Sequence, residues 1–139
     1  MPLKTIDLAI SNTPVPEKVA TFLEEANRRV DQLVSQAANR PSGFVSSNAT
    51  TVYQALRAIE QQNLSTGRTF CEWGSGLGVA AALATMLGFE SYGIEIEEPL
   101  VDAARNLAAD FDLPVQFVQG SFIPAGAEAG AEQSYADNS

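Results

Sequence analysis

Thr69-Phe70-Cys71-Glu72-Trp73-Gly74-Ser75-Gly76-Leu77-Gly78 decides the reading of this chain. A short apolar run carries one carboxylate and then breaks into three glycines at alternate positions. About twenty residues on, a second strand-like run, Tyr92-Gly93-Ile94-Glu95, ends in another carboxylate. Glycine-rich turns between a strand and a helix let the backbone approach a ligand closely, because glycine has no Cβ and accepts positive φ. A carboxylate at the end of the next strand is placed to hold the two hydroxyls of a ribose. The pair reads as a nucleoside-binding half-fold.

The glycine spacing narrows the nucleoside. A dinucleotide fingerprint is G-x-G-x-x-G/A, whose third small residue lets helix and strand pack tightly. Counted from Gly74, that position holds Val79, and the spacing here is G-x-G-x-G with Glu72 ahead of it. A carboxylate at the mouth of the loop repels a pyrophosphate and attracts an ammonium. Glu72, the loop and Glu95 together suit a ligand with a cationic amino-acid end and a ribose. The plainer alternative makes Glu72 a solvated strand end, with Glu95, Glu97 and Glu98 an acidic helix start favoured by the dipole. The strand–loop–helix–strand context favours the ligand reading.

Outward from this stretch the chain alternates strand and helix, which argues for parallel βαβ units. The expected strands are 69–73, 91–96 and Val115 to Val118. The first helix of this unit follows the glycine loop through Leu87, with Gly88 as its C-terminal stop. The second begins near Pro99 and shows Leu100, Ala104, Leu107 and Phe111 on one face. The expected fold class is α/β, a Rossmann-like parallel sheet in the order 3-2-1, incomplete, with N-terminal helices and the ligand across the strands' carboxyl ends. Upstream, Val15, Val19, Phe22, Ala26, Val30, Leu33 and Ala37 recur at helical spacing, and Asn39 to Gly43 breaks the pattern. Ser46, Ser47 or Asn48 caps a second helix bearing Val52, Leu56 and Ile59, which Ser65-Thr66-Gly67 ends. The organisation expected is an N-terminal helical segment over 1–67, a ligand-binding βαβαβ unit over 68–123 and a low-complexity acidic tail over 124–139.

Composition bounds the function. The 139 residues suit one domain with a modest core. Residues 1–68 hold seven Lys/Arg against six Asp/Glu, whereas 69–139 hold one, Arg105, against eleven. So acidic a half repels phosphate backbones, and no direct nucleic-acid ligand is expected there. With no histidine and one cysteine, the chain offers no internal disulfide, histidine catalysis or ordinary zinc site, and no metal is expected. Cys71, inside the first strand, is expected to be a small apolar filler. No secretory leader and no membrane span is visible, so the expected location is cytoplasmic.

Glu72-Trp73-Gly74-Ser75-Gly76-Leu77-Gly78 followed by Gly93-Ile94-Glu95-Ile96 resembles the first two motifs of the class I S-adenosylmethionine-dependent methyltransferases, over roughly residues 68 to 123. The resemblance implies S-adenosyl-L-methionine as cofactor and a methyl acceptor as partner. It implies that Glu72 meets the methionine ammonium, that Gly74, Ser75, Gly76 and Gly78 pass beside the amino-acid and ribose portions, and that Glu95 holds the ribose hydroxyls. Ile96 then lines the adenine face. Many members use an aspartate after strand three for the adenine amino group; Ser121 stands there, a weaker acceptor, and Phe122 either covers the purine or joins the core. Members continue into a fourth strand that carries substrate-binding residues, and this chain stops short of one. The expectation is the cofactor half of a longer enzyme, or a natural truncation, that by itself transfers no methyl group. No catalytic residue is assigned, and self-association through an exposed sheet edge is expected. An S-adenosylmethionine-binding module without catalysis, a nicotinamide-dependent oxidoreductase and a non-catalytic interaction fragment are the competing readings.

Overall fold

The structure, a computed structural model, describes Leu3, Ile123 and residues 5–36 and 48–121. The expected break over 39–43, Ala37, Ser46, Ser47, Phe122 and the 124–139 tail lie outside the described residues. The elements run α1 (Glu17–Gln36), α2 (Ala49–Gln61), β1 (Thr69–Trp73), α3 (Val79–Met86), β2 (Glu90–Glu95), α4 (Glu98–Asp110) and β3 (Gln116–Gln119). All strand pairs are parallel in the order β1-β2-β3, the expected 3-2-1 read from the other edge.

The helices form where apolar spacing gives each a buried stripe. On α1 that stripe is Val19, Phe22, Leu23 and Ala26, all buried in one core with residues of α2, α3 and α4. Phe22 meets Phe111 edge to face at 5.2 Å between ring centroids. Arg29 reaches from α1 to Asp110 at the end of α4, at 2.6 Å, while also bonding Glu25 at 2.8 Å. Asn48 caps α2, its Oδ1 accepting from the Thr51 N–H at 3.2 Å. Tyr53 and Ala58 are buried beside the expected Leu56. α2 stops before Ser65-Thr66-Gly67, because Asn63 takes φ 52° and Leu64 N–H returns to Ile59 O at 3.1 Å. Gly88 at φ 95° and Asp112 at φ 54° end α3 and α4 by the same left-handed device.

Pairing shifts two strands by one residue from expectation. β2 begins at Glu90, whose N–H donates to Arg68 O at 2.7 Å, and ends at Glu95, so Ile96 lies past it. β3 begins at Gln116, because Val115 N–H turns back to Leu113 O at 2.9 Å. Register aligns Glu72 with Gly93, and Gly93 with Phe117, so all three face the side that α3 and α4 cover. Trp73, Ile94 and Val118 align on the opposite side, as do Cys71, Tyr92 and Gln116. Cys71 is therefore exposed rather than a buried filler. The helices pack on the face of Phe70 and Glu72, and strand alternation turns Cys71 the other way.

Candidate cofactor site

The carboxyl ends of the three strands form one edge, and the glycine loop turns over it. Gly74, Gly76 and Gly78 all adopt positive φ, at 70°, 55° and 72°, so the alternate spacing is a conformational requirement. The loop is pinned to β2 by Gly74 N–H and Ser75 N–H, which both donate to Ile94 O at 2.8 and 3.0 Å. It closes on itself where Gly78 N–H donates to Ser75 O at 2.7 Å. A Cβ on Gly78 would stand 2.3 Å from the Phe117 ring, whereas one on Gly74 would meet nothing within 4 Å. Gly78 is thus glycine for the core as well as for the turn, and Gly74 leaves open space beside the edge.

Ser75 is buried and its Oγ lies toward Gly93, where it has no hydrogen-bond partner in the structure. A side chain at position 93 would collide with both that oxygen and Phe117, at 2.8 and 2.7 Å. Gly93 therefore makes room for the loop from beneath.

The two carboxylates stand on adjacent strands. Glu95 is buried, and each of its oxygens accepts a backbone N–H: Oε1 from Gly76 in the loop and Oε2 from Glu97 before α4, both at 2.9 Å. Its own carbonyl accepts from Gly120 N–H at 2.9 Å, bringing the end of β3 alongside. A carboxylate oxygen has more than one acceptor direction, so Glu95 is held rigidly and still able to accept from hydroxyls.

Glu72 is half-buried at the start of α3, and its Oε2 accepts from Ala81 N–H at 3.3 Å. Gly78, the N-cap residue of α3, has no side chain to supply that bond, so Glu72 caps the helix from the preceding strand. Burial pushes its carboxyl up to about 7; the Ala81 N–H opposes the rise and the nearby Glu95 charge adds to it.

Ile96 lies past β2 with its side chain exposed, and its carbonyl accepts from Gln119 Nε2 at 3.4 Å. Ser121 is exposed after β3, its Oγ accepting from Ile123 N–H at 3.1 Å. The structure thus places Glu72, Gly74, Ser75, Gly76, Gly78, Glu95, Ile96 and Ser121 along one edge, and Phe122 lies outside the described residues. Sequence reasoning missed Phe117 and Gln119. Phe117 leaves a faint sequence signal, since Gly78 and Gly93 are both small where its ring passes.

No family model matches the chain, and no curated protein matches it. Solved structures do. An O-methyltransferase from Bacillus cereus in complex with SAH superposes with a TM-score of 0.52 at 17% identity, over 92% of this chain and 51% of that one. The magnesium protoporphyrin IX methyltransferase from Synechocystis with bound SAM gives 0.50 at 18% identity, over 84% and 60%. An RNA methyltransferase from Salinibacter ruber in complex with S-adenosyl-L-homocysteine is 30% identical over 60% of this chain and 54% of that one, with a TM-score of 0.47. The chain has the Rossmann-like α/β fold of the class I S-adenosylmethionine-dependent methyltransferases. It spans 51% and 60% of the length of the first two of these proteins.

Proposed function

We propose that this chain binds S-adenosylmethionine and its product S-adenosylhomocysteine at the carboxyl edge of the sheet, as the cofactor-binding portion of a methyltransferase. The observation that carries the reading is that Glu72 and Glu95 share one face of adjacent strands near their carboxyl ends, beside a loop whose three glycines all take positive φ. Glu72 would meet the methionine ammonium and Glu95 the ribose hydroxyls. Gly74, Ser75, Gly76 and Gly78 would shape the wall beside them. Ile96 is the adenine-face residue of this proposal, Ser121 the acceptor for the adenine amino group and Phe122 the purine cover. The site fits such a ligand: Glu95 is pre-oriented by two N–H donors, and Glu72 sits half-buried where a cation would compensate it.

The bound cofactor supplies an activated methyl on a sulfonium, so the protein mainly has to align an acceptor and exclude water. The acceptor stays unassigned, since the structural neighbours include proteins named for RNA and for a porphyrin. Residues 68–123 are the cofactor unit of this reading, α1 and α2 pack behind it, and a cytoplasmic location goes with it. No described helix is long and apolar enough to cross a membrane.

Calorimetric titration with S-adenosylmethionine, S-adenosylhomocysteine, NAD and NADP tests the proposal. The adenosyl amino acids should bind more tightly than either nicotinamide nucleotide, and the reverse ranking rejects the reading. Methyl transfer to a panel of acceptors then separates an enzyme from a binding module without catalysis.

A further inference from the structure

Among the described residues, no cation acts on Glu72: burial, the Ala81 N–H and the Glu95 charge are what it meets. β1 packs against β2 and α3. Helix α3, Val-Ala-Ala-Ala-Leu-Ala-Thr-Met, carries no ionisable side chain, and neither does the loop from Gly74 to Gly78. On β2 the side chains sharing its face are Ser91, Gly93 and Glu95, and the only charge among them is another carboxylate. Glu90 and Tyr92 lie on the other face and bond each other at 2.7 Å. Glu97 and Glu98, at the start of α4, are exposed and of the same sign. Ala81 N–H is the one donor that the described residues bring to Glu72. A half-buried carboxyl in such a setting holds its proton more tightly than a solvated one does.

We propose that docking of the ligand's amino-acid end expels a proton from Glu72, so that affinity for S-adenosylmethionine and S-adenosylhomocysteine rises with pH while affinity for the nucleoside alone does not. The inference rests on the reading of the site given above. The balance is simple: the carboxyl O–H bond breaks, the proton leaves to buffer, and the carboxylate pairs with the ligand's ammonium. No covalent bond to the ligand forms. Because a neutral Glu72 costs little to bury and a charged one is compensated by the ligand, the empty and filled sites differ in protonation. The free carboxyl titrating at about 7 sets the window.

Titration calorimetry with S-adenosylhomocysteine and with 5′-deoxy-5′-methylthioadenosine, which lacks the amino-acid end, reads the protons directly. At about pH 7, enthalpies in phosphate and Tris should differ by the release of about half a proton for the homocysteine ligand and by none for the truncated one. Affinity for the former should rise roughly tenfold from about pH 6 to about pH 7.5. Glu72→Gln, which keeps an acceptor for Ala81 N–H, should abolish both effects. Glu95→Gln removes the neighbouring charge and should move the pH dependence downward, a shift that a purely structural role for Glu72 would not produce. Buffer-independent enthalpy for S-adenosylhomocysteine, or equal release with the truncated nucleoside, overturns the inference and leaves the proposed function standing. Failure of both ligands to bind at any pH rejects the proposed function, and the inference falls with it.

Discussion

Glu72 makes the ligand-free fold depend on pH in an unusual direction. Its carboxyl stands at about 7 in the folded chain against an ordinary 4.5. A raised folded value means that its contribution to stability is complete below about 4.5 and is lost as pH rises through about 7. Glu72→Gln should remove that loss and make the ligand-free chain more stable at about pH 8 by up to about 3 kcal/mol, with little change near pH 4. Urea denaturation at the two pH values measures it, and a variant less stable at the higher pH would mean that the charged cap on α3 outweighs burial. Glu95 is held differently, each of its two oxygens fixed by a backbone N–H. Glu95→Gln should weaken binding of S-adenosylhomocysteine by ~1–3 kcal/mol, and Glu97→Gln, whose side chain is exposed, by much less. Equal losses would remove Glu95 from the ribose role.

At the scale of elements, the join between β1 and α3 depends on two glycines that look alike in sequence. Gly78 and Gly74 have nearly the same positive φ, but only Gly78 lies against the Phe117 ring. Gly74→Ala should cost about 1–2 kcal/mol, the strain of an L-residue in the left-handed region. Gly78→Ala adds overpacking of an aromatic ring that spans β3, β2 and the loop, and should cost about 2–5 kcal/mol in all. Thermal or chemical denaturation of the two variants separates the contributions. A Gly78 variant no worse than the Gly74 variant would show that Phe117 can step aside. Helix ends follow local rules more closely: Asn48, Asn63, Gly88 and Asp112 are residue types that cap helices or tolerate positive φ.

Across the whole molecule, the described helices α3 and α4 cover one sheet face and leave the other without a described helix. Cys71 and Gln116 are exposed, and Val118 and Trp73 are 53% and 67% accessible, beside half-buried Tyr92 and Ile94. Among the described residues β1 pairs only with β2, which leaves it at the sheet edge. The 139-residue chain should therefore associate with itself in a concentration-dependent manner, and Val118→Lys, which charges the open face, should reduce that association. Sedimentation velocity over a concentration series measures it. A monomer at all concentrations would show that the open face is not sticky.

Much of this arrangement follows from the sequence alone, because its signals are local. Alternate glycines after an apolar run require a left-handed loop, a carboxylate ending each of two strands lies at the sheet's carboxyl edge, and apolar spacing of three and four makes helices wherever it occurs. These are properties of a few consecutive residues, and the structure returns them with shifts of one residue at β2 and β3. The tertiary structure decided the rest. Thr69-Phe70-Cys71-Glu72-Trp73 has apolar residues on both faces, so its alternation could not say which face the helices would cover, and Cys71 came out exposed. No local pattern could show that Glu72 caps α3 across nine positions, or that it shares its face with Glu95. Both depend on strand register, and register turns a carboxylate legible as a ligand group into one whose proton is held by burial and by a neighbour twenty-three residues away.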